Sequence, residues 1–420
     1  MRENRVVITG IGIISPLGED KESFWTGLCN GVSGIKPITL FDTSSYRCKL
    51  AGEVAGFDPK RYLGSKGLRY FDRVSLLITS AAKLALEDGH LHSGIYAEDE
   101  LGAVIGSTFG SINSISAFDM ESLREGPNYV SPMDFPNTVL NAPASRVSIH
   151  CEMKGLNSTV SNGETSGIDS IQYAADFLRF GRVKALLAGG VYALTPDTFW
   201  GFYEADALAG TLPETLEISA PFDRRRNGIV LGEGAAVFLL EDVESAVARG
   251  AHIYAEVRGY GTAFAPEGRT SDIAVIEAGT GAINEALWQS GIAADEISFV
   301  ASGAHSSARR DRLEVACLKA VFGARARTIP VSAIRSMTGE CLDASAAMQI
   351  AAAVMAIGSN RVPPTINYQE PDPDCDVDCV PNVMRELEVE NVLIPTFSFT
   401  GNASCLVVSR FDWDSNEISY

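Results

Sequence analysis

Val160-Ser161-Asn162-Gly163-Glu164-Thr165-Ser166-Gly167 is the stretch that says most about the fold of this chain. An apolar strand enters it, and an amphipathic helix predicted over residues 168–180 leaves it. A second apolar strand follows over residues 185–190. A strand, a tight turn and a helix together lift one side chain to the helix N-terminus, where free N–H groups and the helix dipole favour an anion. This geometry is typical of a nucleophile elbow, and here the elbow carries the carboxylate of Glu164.

Strands and helices alternate on both sides of the elbow. The first set comprises strands predicted over 5–14, 102–106, 185–190 and 235–240, with helices over 21–30, 75–88 and 168–180 and a charged surface helix over 241–250. The second set comprises helices over 272–290, 311–322 and 345–357, with strands over 297–301, 329–332, 391–395 and 403–409. No low-complexity linker separates the sets, so we expect a layered α/β fold of two halves packed as one unit, residues 1–250 and 251–420.

Composition excludes several classes of function. The 420 residues are 46% hydrophobic, enough for a large core, and the formal net charge of −19 argues against nucleic acid or an anionic membrane as a partner. No apolar run reaches the roughly 18 residues of a membrane span, and the N-terminus leads directly into a strand, so a cytoplasmic location is expected. An acidic partner protein would need a local basic cluster: Arg224–Arg226, or Arg309 and Arg310 with Arg312, unless Asp223 and Asp311 pair with these arginines in solvated loops.

Two further sequence patterns are only weak indications of a dinucleotide site and of a zinc site. Gly10-Ile11-Gly12 starts a dinucleotide motif, but Ser15 occupies the position of its third glycine. Cys375 and Cys379 are close in sequence without a second Cys/His pair, which makes a poor zinc site, so reduced thiols and no metal are expected.

Several longer motifs resemble those of the β-ketoacyl synthases. They are Val6–Gly18, Phe135–Ala144, Pro221–Ala236, Ser332–Gly339 and Phe397–Ala403, and the resemblance runs from about residue 4 to 410. It implies a thiolase-like five-layered αβαβα fold with two fused similar halves and an obligate dimer. It also implies an acyl-phosphopantetheine arm delivered by an acyl carrier protein, with no cofactor bound by the chain itself.

Active members of that family use a cysteine nucleophile, two histidines and a lysine, which hold the acyl group and stabilise the enolate and oxyanion. Matched motif by motif, the cysteine position is Glu164, the histidine positions are Gly303 and Glu340, and the lysine position is Arg335. A glutamate forms no stable thioester, and a glycine has no side chain to donate a hydrogen bond. The resemblance therefore implies a degenerate catalytic set.

Three residues near the altered positions are candidates to replace the missing histidine and cysteine. His305 lies two residues past the first histidine position, a displacement of about 6–7 Å along the chain, so we do not expect it to take over. Cys341 and Cys405 lie near motif positions and are expected to be core residues.

The two carboxylates allow two interpretations. Glu164 and Glu340 could face each other like the carboxylate pair of a glycoside hydrolase. Alternatively, Arg335 neutralises one or both in a structural ion pair, while Glu164 also accepts N–H bonds at its helix start, and this second interpretation is favoured.

Within the family, the members with an altered nucleophile are the chain length factors of type II polyketide synthases. These usually carry glutamine at the elbow, so Glu164 is a departure. The resemblance implies a heterodimer with a ketosynthase that has an intact Cys-His-His set, and a tunnel gate at Ile112, Ile115, Phe118, Asp119 and Phe399, although Asp119 is unusual in an apolar tunnel. The alternatives are a malonyl carrier protein decarboxylase, a condensing enzyme with an unorthodox glutamate-containing site, and a scaffold unrelated to polyketides.

Overall fold

A computed structural model describes residues 4–268 and 270–413 of the chain. The strands are β1 Val6–Ile14, β2 Ile35–Pro37, β3 Leu50–Gly52, β4 Leu101–Gly106, β5 Asn157–Val160, β6 Ala185–Tyr192, β7 Gly234–Asp242, β8 Ala255–Phe264, β9 Phe299–Ala301, β10 Val331–Ser332, β11 Arg361–Val362, β12 Arg385–Glu386, β13 Asn391–Phe397 and β14 Asn402–Ser409. The α-helices are α1 Lys21–Cys29, α2 Lys60–Leu63, α3 Arg73–Asp88, α4 Ile112–Glu125, α5 Ala142–His150, α6 Ser166–Arg179, α7 Pro196–Glu204, α8 Val243–Ala248, α9 Asp272–Ser290, α10 Ala308–Phe322, α11 Arg335–Thr338 and α12 Asp343–Ser359.

Two five-stranded arrangements with the same pattern make up the main sheet. The first, called the first sheet below, has the order β1-β7-β6-β4-β5. The second, called the second sheet, has the order β8-β14-β13-β9-β10. In each, the first two neighbouring pairs are antiparallel and the last two are parallel. The two arrangements meet where β1 pairs with β8 between Val6–Ile8 and Ala255–Val257. The chain therefore folds as two similar halves.

The helices lie in three layers. Helices α3 and α5 pack on the outer face of the first sheet, and α9, with α10 beside it, covers the second sheet. Helices α6 and α12 pack against each other between the sheets. The sequence explains this placement, because α12 is rich in alanine and buried on every side from Asp343 to Val354. The expected five-layered αβαβα fold is confirmed.

The central layer is packed without spare room. A Cβ added to Gly167 in α6 would lie 2.2 Å from the carbonyl oxygen of Asp343 at the start of α12. A Cβ on Gly190 in β6 would lie 2.1 Å from the same oxygen. The two glycines allow the backbones of α6, α12 and β6 to meet, and this contact fixes where both central helices begin.

One predicted helix is present with shorter bounds, and the difference has a physical cause. The charged helix expected over 241–250 starts later, because β7 continues through Asp242 and α8 spans only Val243–Ala248. Glu241 is fully buried and accepts hydrogen bonds from the Arg249 guanidinium and the Tyr96 hydroxyl. In the sequence, a buried acidic residue at the end of a strand cannot be distinguished from an exposed acidic residue at the start of a surface helix. The predicted helix therefore begins too early. The two sheets are hydrogen-bonded to each other through β1 and β8, and the division of the chain at residue 250 stays a prediction.

We expect Gly167→Ala to lower the free energy of unfolding by about 3 kcal/mol, because the new methyl group overlaps the backbone of α12. The matched control is Gly281→Ala on the exposed face of α9, where a Cβ meets nothing within 4 Å. That substitution should raise stability by about 0.5 kcal/mol through helix propensity. Urea denaturation of the two variants and the wild type measures both effects, and equal midpoints would contradict the close packing of α6 on α12.

Candidate functional site

The predicted site residues meet at one edge of the two sheets. Glu164 follows β5, Gly303 follows β9, and Arg335 and Glu340 follow β10, each of which runs parallel to a neighbouring strand. Carboxyl ends of parallel strands point the same way, and ligands of α/β proteins usually bind in the crevice beyond them. The N-termini of α6 and α12 face this edge as well, so the structure brings all four predicted site residues together.

Glu164 is held from the opposite half of the chain. Its Oε2 atom accepts a hydrogen bond from the Ser398 hydroxyl and another from the Phe399 backbone N–H at 3.1 Å. The side chain is 7% exposed. Both donors belong to the turn between β13 and β14, whereas the sequence favoured donors at the start of α6. Gly163 allows this geometry with a φ of 70°, a conformation that costs glycine little.

Arg335 is a fully buried cation that joins three segments. Its Nη1 lies 3.0 Å from Oε2 of Glu340 and also donates to the carbonyl oxygen of Gly303, while Nη2 donates to Oε1 of Gln349 at 2.8 Å. Both partners of the ion pair are 1% exposed. Burial raises the pKa of Glu340, and the neighbouring Arg335 opposes that rise. The predicted structural ion pair is therefore confirmed for Glu340.

Gly303 takes part in the site through its backbone. Its N–H donates to Oε1 of Glu314 at 3.2 Å, and its carbonyl oxygen accepts from Arg335. A Cβ at this position would lie 3.0 Å from the carbonyl oxygen of Pro395. A side chain at residue 303 would require a neighbour to move. The position therefore has no side-chain donor and no free space for one.

His305 lies beside the site without joining the four positions. Its ring packs on Phe399 with centroids 5.3 Å apart, and its backbone N–H donates to Asp311 at 3.0 Å. Burial, with Arg335 and Arg310 nearby, holds the pKa of the imidazole well below its usual range. His305 is therefore a neutral, buried ring at neutral pH.

Three more carboxylates surround the site: Asp343 and Glu314, which the sequence did not single out, and Asp311, which was expected in a solvated loop but is fully buried. Asp343 at the start of α12 accepts from the Thr108 N–H at 3.0 Å and its hydroxyl at 2.7 Å. Burial raises the pKa of Asp343 and of Glu314 to about 7 each, and that of Asp311 to about 6. These three residues lie outside the motifs that were matched to the catalytic set. The one sequence signal for them is their place on the apolar faces of α10 and α12, where an acidic residue is unusual.

Cys341 and Cys405 are fully buried, as expected of core residues. The Cys341 thiol contacts the carbonyl oxygens of Glu233 and Thr338 at 3.5 and 3.7 Å. Burial raises the pKa of both thiols, for Cys341 well above its usual range. Neither thiol is available as a thiolate at neutral pH.

Two of the three arginines in the first basic cluster have structural ion pairs, and Arg224 is exposed. Arg226 is buried and lies 2.6 Å from Asp372, and Arg225 pairs with Asp223 at 2.8 Å. In the second cluster, Arg309 and Arg312 both pair with Asp272, at 2.7 and 3.0 Å. Arg309, Arg310 and Arg312 remain the candidate cluster for docking an acidic partner, since their side chains are half-buried or exposed near the start of α10.

A cavity of about 690 Å³ opens next to the site. Ile112 and Phe399 of the predicted gate line it, together with Phe109, Phe202, Arg309 and Arg310. Of the remaining gate residues, Ile115 and Phe118 are half-buried and Asp119 is exposed on α4, and none of the three lines this cavity. Their assignment to a gate stays a prediction.

Within residues 4–268 and 270–413, no group of three or more His, Cys, Asp or Glu side chains is arranged to hold a metal ion. Over the same residues, no helix has the length and hydropathy needed to cross a bilayer.

We expect Arg335→Met to lower the free energy of unfolding by about 3–5 kcal/mol, because it leaves the Glu340 carboxylate buried without its cation. The double variant Arg335→Met/Glu340→Met should recover most of that loss, since an apolar pair of similar volume needs no partner. Denaturation of the two single variants and the double variant measures the coupling. Additive losses would show that the two side chains do not act as a pair.

Comparison with known proteins identifies the family. The N-terminal domain model of the β-ketoacyl synthases matches residues 3–246, and the C-terminal domain model matches residues 254–369. The 3-oxoacyl-[acyl-carrier-protein] synthase 2 of Coxiella burnetii is 36% identical over 411 residues, covering 98% of this chain and 99% of that protein. The tetracenomycin polyketide synthase ketoacyl synthase alpha subunit of Streptomyces glaucescens is 35% identical over 424 residues, covering 97% of each.

Solved structures agree. The ishigamide ketosynthase/chain length factor superposes with a TM-score of 0.90 at 32% identity, covering 98% of this chain and 100% of that one. A type II polyketide synthase acyl carrier protein in complex with its ketosynthase bound to the hexaketide contains a chain that superposes with a TM-score of 0.88 at 28% identity, covering 97% and 100%. By sequence over both domains and by its thiolase-like fold, this chain belongs to the β-ketoacyl synthase family.

Proposed function

We propose that this chain is a catalytically silent, chain-length-factor-like subunit of a type II polyketide synthase, or of a synthase that makes fatty-acid-like polyenes. It pairs with a ketosynthase that carries the intact Cys-His-His set and shapes the tunnel in which the acyl chain grows. The acyl-phosphopantetheine is delivered by an acyl carrier protein. The observation that carries the proposal is the state of the elbow, where a buried carboxylate is held by two hydrogen bonds in place of a thiol.

Acyl transfer needs a nucleophile that can hold the acyl group as a thioester. Glu164 cannot form one, and the thiols of Cys341 and Cys405 are buried with raised pKa values. A condensing enzyme with an unorthodox site would still need such a group. That alternative gains no support from the geometry.

The decarboxylating alternative also lacks support, for a different reason. Decarboxylation of a malonyl group needs hydrogen-bond donors that stabilise the enolate as carbon dioxide leaves. At residue 303 the N–H is engaged by Glu314, and at residue 340 an anionic group replaces a donor. Ionised Glu340 would repel both the malonyl carboxylate and the enolate.

The cavity supports a role in holding an acyl chain. Its volume of about 690 Å³ is in the range of small-molecule pockets, and Phe109, Ile112, Phe202 and Phe399 give it an apolar wall. The solved relatives of this fold include a ketosynthase/chain length factor and a ketosynthase in complex with a carrier protein. A subunit that has lost the acyl-transfer groups but keeps an apolar cavity fits the accessory role.

The direct test is acylation. We expect the purified chain, incubated with an activated acyl donor, to show no added acyl mass by intact mass spectrometry, and Glu164→Cys to give no condensation, because Gly303 and Glu340 are unchanged. The positive control is the partner ketosynthase, which should be acylated and, in a one-to-one complex with this chain, consume malonyl carrier protein. A homodimer of this chain that consumes malonyl carrier protein alone, or turnover by Glu164→Cys, would overturn the proposal.

The tunnel role has its own test. We expect Ile112→Phe to shorten the product of the two-subunit complex by at least one extender unit, because the larger ring fills part of the cavity that Ile112 lines. Ile273→Phe, on the exposed face of α9, is the matched control and should leave the product unchanged. Mass spectrometry of the products decides, and identical products from both variants would remove Ile112 from the gate.

A further inference from the structure

The elbow and the turn between β13 and β14 are joined at several points. Beyond the two bonds to Glu164, the Asn402 side-chain amide donates to the carbonyl oxygen of Asn162 at 2.9 Å. The approach is so close that a Cβ on Gly163 would lie 2.2 Å from the Ser398 hydroxyl oxygen. The two segments are more than 230 residues apart in sequence, so this contact ties the two halves of the chain together at the site.

The turn is also tied to itself. The Ser398 hydroxyl lies 2.7 Å from the Thr400 hydroxyl and accepts the Thr400 backbone N–H at 3.2 Å. The Asn402 amide donates to the Thr400 hydroxyl at 3.1 Å. Ser398 therefore sits at the centre of the network, with Glu164 on one side and the rest of the turn on the other.

The turn positions one aromatic ring. Phe399 follows Ser398, lines the cavity, and packs on Phe202 with centroids 6.0 Å apart and on His305 at 5.3 Å. The Arg310 guanidinium lies 5.2 Å from the Phe399 ring and donates to the Ser398 carbonyl oxygen at 2.7 Å. The backbone N–H of Phe399 donates to Glu164, and Phe399 lines the cavity whereas Glu164 does not, so this residue contacts both the elbow and the cavity.

We propose that Glu164 is a positioning residue that latches the 398–401 turn shut and thereby holds Phe399 as a fixed wall between the cavity and the elbow. The latch consists of Glu164, Ser398 and the Phe399 backbone N–H. Its consequence is that the end of an acyl arm in the cavity is kept away from residue 164 in this subunit. The consequence for acyl chains rests on the proposed function, whereas the latch itself does not.

The hydrogen-bonding capacity of the Glu164 carboxylate, more than its volume, suits it to this role. Two donors converge on one oxygen of Glu164, and hydrogen bonds to an ionised acceptor are shorter and stronger than neutral ones. Glutamine keeps an acceptor oxygen without the charge, and methionine keeps the length without an acceptor. If Glu164 only filled space, glutamine and methionine would behave alike; if it latches the turn, methionine must release the turn far more than glutamine.

The experiment is hydrogen exchange of the full-length chain, followed by mass spectrometry of a peptide covering residues 397–402. We expect Glu164→Met to speed exchange of the Phe399 amide roughly 10-fold or more, and Glu164→Gln to speed it less, because a hydrogen bond to a charged group is lost in one and weakened in the other. Ser398→Ala, which removes the hydroxyl donor, should also speed exchange. Glu277→Gln on the exposed face of α9 is the control and should match the wild type.

Equal exchange in Glu164→Met and the wild type, or in Glu164→Met and Glu164→Gln, would overturn the latch. Should Glu164→Met not fold, Ser398→Ala decides, since exchange at the wild-type rate in that variant also overturns it. A second measurement separates the latch from the proposed function: the products of the two-subunit complex that contains Glu164→Met. Faster exchange with unchanged products keeps the latch and rejects its effect on the acyl chain, whereas faster exchange with an altered product length supports both.

Discussion

The contact between α6 and α12 at the centre of the molecule is the constraint on which the rest of the structure depends. Gly167 and Gly190 leave room for the carbonyl oxygen of Asp343 where a methyl group would not fit. Because the two helices come from the two halves of the chain, their contact fixes one half on the other. Because the contact lies at their first turns, it also places both helix N-termini at the same edge of the sheets. The site is a consequence of this packing.

At that edge, buried charge is balanced within the protein. Arg335 lies against Glu340 and bonds to Gly303 and Gln349, while Glu164 is held by Ser398 and Phe399. A buried ion is tolerated only when partners replace its lost hydration. The Arg335 cation beside Glu340, and the hydroxyl and amide donors to Glu164, therefore explain how two acidic side chains are tolerated in this buried site.

Much of this could be predicted from the sequence, and the exceptions have physical causes. The α9 helix is predicted at the observed bounds Asp272–Ser290. The motifs also predict that Glu164, Gly303, Arg335 and Glu340 belong to one site, and their correspondence to a catalytic set stays a prediction. Glu241 was misplaced because a buried, paired carboxylate cannot be told from an exposed one by residue type. The donors to Glu164 were also misassigned, since the turn that supplies them lies more than 230 residues further along the chain. Ser398 stood inside a quoted motif, but only the three-dimensional structure shows which carboxylate its hydroxyl meets.

The division between cavity and carboxylate cluster bears on how a silent subunit could keep a useful shape. Condensation needs the acyl cavity and the nucleophile to be continuous, because the acyl carbon must reach the reacting atom. Here Phe399 lines the cavity with its ring and gives its backbone N–H to Glu164 on the other side. In the proposed latch, this one residue closes off Glu164 and completes the apolar wall. Under the proposed function, the substitution at the elbow removes the nucleophile and also stabilises the wall that an acyl chain would contact.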